Sequence, residues 1–219
     1  MGVLLMAMTI GGLIVAAILF SISIFTKVTW LQNFIIGGVV VWFVFYFAML
    51  FGFSAASKEK DLALNEPKEF CGFYLDCHMH TAVTDVRKTR TIGNKTATGE
   101  FYIMKVKVYS DARAATLGLI TVDAHVVDAE RRTYDRDMDA EAQLTPQPDF
   151  EKPIALVESF EKEIVFDLPK EIQNPRLDLR EGYGIDHAIE AVLVDDEDSI
   201  FHKRNYFSLP QSVQTSAVQ

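Results

Sequence analysis

The stretches Val3–Phe25, VLLMAMTIGGLIVAAILFSISIF, and Phe34–Phe53, FIIGGVVVWFVFYFAMLFGF, decide the architecture, because Lys27 is the one charged side chain in residues 1–57. They run for 23 and 20 residues, and as helices each covers a hydrocarbon core of about 30 Å. In the second, 13 residues are Leu, Ile, Phe or Val, and at roughly 0.3–0.6 kcal/mol each they favour insertion by at least about 4 kcal/mol. A cleavable signal peptide fits the first stretch poorly. No basic region precedes it, it is too long for a signal core, and a second span follows closely.

Thr26–Asn33 then reads as a short connection, so residues 1–53 are expected to form an antiparallel transmembrane hairpin with helices over about 3–25 and 34–53. Trp30 falls at a helix end, where an amphipathic ring suits the interface, whereas Trp42 falls mid-span. Gly12 with Ala16, Ala17 with Ser21, and the pair Gly37–Gly38 offer small patches for close helix packing. Neither span holds an Asp, Glu, His, Lys or Arg, which argues against a proton relay, an ion site or an axial haem histidine inside the anchor. For orientation, Lys58, Lys60 and Lys68 after the second span outnumber Lys27 in the connection, a small bias toward a cytoplasmic domain.

Beyond Phe53 the chain changes character. All 30 acidic residues and 20 of the 21 basic ones lie there, a formal charge of −10, which argues against nucleic acid or anionic lipid as the main partner. Apolar residues recur at every second position in Tyr102, Met104, Val106 and Val108, the period of a half-buried strand. The alternation returns in Ile164, Phe166 and Leu168, in Leu177 and Leu179, and in Ile189, Ala191 and Leu193. Phe73–Val86, Val122–Asp128 and Ser199–Phe207 are further strand candidates. Turn signals at Gly93-Asn94, Pro146–Pro148, Asn174-Pro175 and Gly182–Gly184 separate them, as in an antiparallel sandwich, with a barrel as the alternative. The expected division is a hairpin over 1–53, a linker over 54–69, a β-sandwich over 70–209 and a flexible tail over 210–219.

The run TAVTDVRKTRTIGNKTATGEFYIMKVKVYSDARAATLG, then VDAHVVDAERRTYDRD and ESFEKEIVFDLPKEIQNPRLDL, resembles the bacterial telokin-like, immunoglobulin-like extracellular domains of unknown function. The resemblance covers about Thr81–Leu179 and implies an immunoglobulin-like sandwich on the outer side of the membrane, with no catalytic residues. That implication outweighs the small lysine bias. The two-helix anchor departs from the single signal or lipoprotein cysteine common in that family, and EFCGFYLDCHMH precedes the matched region.

Cys71, Cys77, His78, Met79 and His80 form a cluster of soft ligands. In a strand His78 and His80 share one face while Cys71, Cys77 and Met79 share the other, so one metal takes both sets only where the strand breaks. Cysteines filling a core are the simplest reading. A Cys71–Cys77 disulfide needs Cα atoms within about 7 Å, whereas six strand residues separate them by roughly 20 Å, so it requires a turn such as one at Gly72. Copper or zinc on Cys77, His78 and His80 needs a further ligand from His125, His187 or His202. The spacing of Cys71, Cys77 and His78 departs from C-x-x-C-H, which disfavours covalent haem. The anchor invites comparison with the copper-bearing subunit of haem–copper oxidases, but the paired-cysteine loop of that subunit is missing. Asp195, Asp196, Glu197 and Asp198 lack EF-hand spacing and read as a solvated turn. Asp123 and His125 read as a surface pair, and no Gly-x-Ser-x-Gly elbow accompanies the histidines. The expected molecule is therefore not an enzyme and carries no cofactor. It is a membrane-anchored interaction or structural module in a bacterial cytoplasmic membrane, with its β domain on the periplasmic side. Other membrane-protein subunits of a respiratory or photosynthetic complex and the lipid bilayer are its expected partners, with no nucleic acid. The alternative is a metal-handling or redox protein using residues 71–80.

Overall fold

The computed structural model describes residues 2–70, 77–156 and 158–210. The chain forms two compact units: residues 1–58 with 184–204, and residues 59–183 with the segment that begins at Asn205.

In the first unit α1 (Gly2–Phe25) and α2 (Thr29–Ala56) are joined by a tight turn, where Lys27 takes a positive φ of 58°. Both helices are long and apolar enough to cross a membrane. Helix α2 extends beyond 34–53 at both ends because no proline or charge stops it, so the connection shrinks to Thr26–Val28. The less exposed positions on α1 are Gly2, Met6, Thr9, Leu13, Ala16, Phe20 and Ser23, in alternating steps of four and three. Those on α2 include Gln32, Ile35, Val39, Trp42, Tyr46 and Met49. This is the seam of an antiparallel helix pair. The indole N–H of Trp42 donates to Thr9 Oγ1 across it (3.0 Å), and Thr9 in turn donates to the Leu5 carbonyl (2.8 Å). Near the turn Gln32 Nε2 donates to the Ser23 carbonyl (3.3 Å). The glycine patches depart from expectation. A Cβ added at Gly12, Gly37 or Gly38 would meet nothing within 4 Å, so these residues lie off the seam, and of the small residues named only Ala16 is on it.

The second unit is a sandwich of two sheets. Strands β1 (Lys60–Leu62), β2 (Lys68–Phe70), β3 (Met79–Ile92), β4 (Lys95–Ser110), β5 (Val122–Val127), β6 (Thr133–Asp135), β7 (Ser159–Leu168), β8 (Arg176–Glu181) and β9 (Asn205–Ser208) make it. One sheet runs β2-β3-β4-β7 and the other β1-β9-β8-β5-β6. The run β9-β8-β5-β6 has the strand order of an immunoglobulin variable-type sheet, and β3-β4-β7 supplies the facing one. All pairings are antiparallel except β1 with β9, where Lys60 lies opposite Asn205 and Leu62 opposite Phe207. The segment 54–69, read as a linker, thus contributes the end of α2, β1 and part of β2. Arg176 ties β1 in place by pairing with Glu59 and, at 3.3 Å, with Asp61.

Val83, Met104, Val106, Val108, Ile164, Phe166, Val126, Leu177, Leu179 and Phe207 fill the space between the sheets. Gly93, at φ +55°, closes the β3–β4 hairpin, with Ile92 opposite Lys95. The outer face of β4 is buried as well. Phe101 and Ile103 pack with Val165 and Ile92 under Ala140 of a short helix, α3 (Met138–Glu141), capped by the Asp137 carboxylate on Ala140 N–H at 2.9 Å. Burial on both faces explains the unbroken apolar run Phe101-Tyr102-Ile103-Met104.

The free edge of β7 is closed by the same strap. Gln147 acts as a surrogate strand, donating to the Glu163 carbonyl (2.7 Å) and accepting from Glu163 N–H (2.8 Å). Asp137 N–H donates to the Val165 carbonyl (2.8 Å), and Val165 N–H donates to Glu141 (3.0 Å). An edge so paired offers little to an incoming strand.

The alternation Ile189, Ala191, Leu193 is not a strand. Gly184–Glu190 forms a helix, α4, and the segment from Gly184 to Arg204 belongs with the helical unit. Val194 packs with Tyr46, Leu50, Leu5 and Met49, and the Tyr46 hydroxyl donates to the Val192 carbonyl at 2.6 Å. Apolar residues there are placed by contact with the helices, not by a strand's period. Of the candidate strand Ser199–Phe207, only its last residues are extended, in β9.

Candidate functional site

Two groups of titratable side chains merit comparison. The first lies where β3 begins. His78 precedes the strand and His80 is its second residue, so both reach the carboxylate of Asp111, just beyond β4. His78 Nδ1 is 2.6 Å from Asp111 Oδ1 and His80 Nε2 is 3.4 Å from the same oxygen. Backbone pairing sets the approach, because Asp111 N–H donates to the His78 carbonyl at 3.1 Å. His80 lies opposite Tyr109 and stacks on its ring at 5.1 Å. Its Nδ1 is buried without a hydrogen-bond partner. The His78 hydrogen bond chiefly holds the Asp111 carboxyl below its usual range, with partial desolvation opposing and His80 assisting. The shared face expected for His78 and His80 is therefore present, and the residue they share is an aspartate that sequence reasoning did not name. Cys77 is disulfide-bonded, which leaves no thiolate for a metal. Cys71 lies outside the described residues, and with it the Cys71–Cys77 pairing.

The second group is in the segment between β8 and β9. His187 and Glu190 are three apart on α4 and therefore adjacent on its surface, with Nδ1 3.1 Å from Glu190 Oε2. Asp198 comes from the following turn, its Oδ2 3.7 Å from His187 Nδ1. One ligand atom from each of the three lies within 4.8 Å of the others. Ligands about 2 Å from one zinc ion lie at most about 4 Å apart, a limit that both distances from His187 meet. Arg204 Nη2, 2.9 Å from Asp198 Oδ1, competes for the same carboxylate. Desolvation raises the Glu190 pKa, and repulsion from Asp196 and Asp198 outweighs part of the relief from His187. Desolvation also raises Asp196, with Asp198 and Glu197 adding to it. The acidic run 195–198 is thus not the freely solvated turn expected: Asp196, Glu197 and Asp198 are half-buried and Asp195 is exposed. His187 was legible as a candidate ligand, but its partners depend on a turn that spacing does not specify.

His125 stands apart from both groups. Its Nδ1 is 2.9 Å from Asp135 and its Nε2 3.3 Å from Asp123, so the expected Asp123–His125 pair gains a second carboxylate from β6. An imidazole held between two carboxylates has no hydroxyl or thiol to activate there.

No family model matches the chain, and no curated protein matches it. Among solved structures, a secreted protein of Mycobacterium tuberculosis, MPT63, is similar at 11% identity with a TM-score of 0.42, over 70% of this chain and 98% of that one. The telokin-like domains remain a resemblance.

Proposed function

We propose that this chain is a non-catalytic, membrane-anchored interaction or structural module. Its helix pair crosses a bacterial cytoplasmic membrane and carries an immunoglobulin-like, telokin-like sandwich on the periplasmic side, as an accessory subunit of a membrane complex, respiratory or photosynthetic. One observation carries the anchor: only 6% and 11% of the most apolar windows of α1 and α2 are buried. The core helix of a water-soluble protein buries its apolar face, whereas these helices turn Leu4, Ile14, Val41, Val44 and Phe47 outward. The non-catalytic reading is supported by what surrounds the histidines, which pair with carboxylates instead of a nucleophile. Because β7 is already covered, partners would meet the loops and sheet faces of the sandwich, and neighbouring spans would meet the glycine-bearing sides of α1 and α2.

Purification in a mild detergent tests the subunit role, with a stable co-purifying complex as the expected result and a solitary monomer as the contrary one. A reporter placed after Gln219 and probed in intact cells tests the side of the membrane.

A metal-handling role is the second reading, favoured by the convergence of His187, Glu190 and Asp198. With Cys77 in a disulfide, copper or zinc at residues 78–80 would rest on His78, His80 and Asp111. Metal analysis of the purified protein with His187→Ala and His80→Ala variants separates them by which substitution removes stoichiometric metal.

A further inference from the structure

The segment 184–204 packs along the open end of the helix pair, opposite the turn at Lys27. Counting about 20 helical residues, the number that covers a hydrocarbon core of about 30 Å, from Phe25 toward the N-terminus ends at Met6. The same count from Trp30 ends at Met49. These positions mark one level, and the segment is fastened there. Val194 sits against Leu5, Tyr46 and Leu50, and the Val192 carbonyl accepts from the Tyr46 hydroxyl. The Phe201 ring lies 6.1 Å from that of Phe51, and Lys203 N–H donates to Ser57 Oγ at 2.9 Å. Gly2 is required for this fit, since a Cβ there would fall 2.4 Å from the Val194 carbonyl oxygen.

While Leu193 and Val194 face the helices, Val192, Ile200 and Phe201 face outward, and Phe201 is 75% exposed. Their apolar surface continues that of α2 through the Phe51–Phe201 contact. We infer that residues 184–204 form a collar seated at the boundary between lipid headgroups and acyl chains, with Val192, Ile200 and Phe201 in contact with lipid. This rests on the membrane-anchored reading proposed above. Continuity with the lipid-facing surface of α2 selects lipid over a protein partner, and the level matches that at which interfacial aromatic residues gather. The collar carries Asp186, Glu190 and Asp195–Asp198 against Lys203 and Arg204, so the lipid it meets is recognised by its apolar chain and not by an anionic headgroup.

The test places tryptophan at Phe201 in the full chain with Trp30→Phe and Trp42→Phe, reconstituted in phosphatidylcholine vesicles. A parallel Ile200→Trp chain guards against a local disturbance at one position. A third chain keeps Trp42 and carries only Trp30→Phe. Bromines near the glycerol end of the lipid chain are expected to quench F201W and I200W more than bromines near the methyl end. For Trp42 the order is expected to reverse. Quenching of Trp42 with neither collar tryptophan quenched would overturn the collar and leave the anchor standing. Loss of quenching at all three positions would remove the anchor and the collar together.

Discussion

The two units handle apolar surface and negative charge in opposite ways. The sandwich encloses its apolar side chains by itself, on both faces of β4, and gives its buried carboxylates donors. Asp128 accepts from Arg132 Nε (2.6 Å), the backbone N–H groups of Glu130 and Arg132 (2.9 Å each) and the Tyr134 hydroxyl (3.1 Å). Desolvation pushes its pKa up, but these donors together hold it below the ordinary value. The helical unit leaves its apolar side chains outside, and its collar crowds desolvated carboxylates whose pKa values rise. The sandwich covers its own core; the helical unit leaves its apolar surface to be covered by what surrounds it.

The sharpest break of this contrast is Phe101→Ala, which empties a fully buried site on the outer face of β4. It should cost about 3–5 kcal/mol in denaturant unfolding of the sandwich, whereas Ile14→Ala on the exposed side of α1 should leave that transition where it is. Glu141→Gln comes next. Glu141 receives Arg136 through both oxygens (2.8 and 2.6 Å) and Val165 N–H, so unpairing the half-buried guanidinium should cost about 2 kcal/mol and expose the β7 edge to hydrogen exchange.

Acid should divide the two units. Asp128 has a folded pKa below its unfolded value near 3.8, so its contribution is present above that value and lost as pH falls through the lower one. Glu190 has a folded pKa above its ordinary 4.5, so its contribution is present below 4.5 and lost as pH rises through the higher value. Hydrogen exchange followed from neutral to acid pH should therefore show protection falling around residues 122–135 and holding or rising around 184–204. Glu190→Gln should weaken the second trend, leaving the part that Asp196 contributes. The smallest effect belongs to Trp42→Phe, which removes the hydrogen bond to Thr9 and should weaken the helix pair by about 0.6 kcal/mol, read by unfolding in detergent.

How much of this was legible depends on whether the partner of a residue could be inferred locally. Tyr102, Met104, Val106 and Val108 announce their strand because the facing sheet follows the same period. Phe101 and Ile103 do not announce their burial, because the strap over them comes from Ala140, on a helix of four residues. The helices are unmistakable, but their seam was only partly placed: of the small residues named, Ala16 is on it, whereas Gly12, Ala17, Ser21 and Gly37–Gly38 are exposed, and Thr9 and Ser23 meet α2. For Ile189, Ala191 and Leu193 three alternating residues mimicked a strand, and the surface that organises them lies at the other end of the chain. Asp111 was missed as the partner of His78 and His80 because only the β3–β4 register brings it there.

The parallel pairing of β1 with β9 has a consequence for biogenesis. Lys60–Leu62 follow the helices out of the ribosome almost at once, but their partner Asn205–Phe207 is made roughly 140 residues later. Closing so long a loop is slow, so the nascent chain must wait with that sheet unfinished. A stop codon before Asn205 should therefore yield a product that proteases recognise by the unpaired edges of β1 and β8.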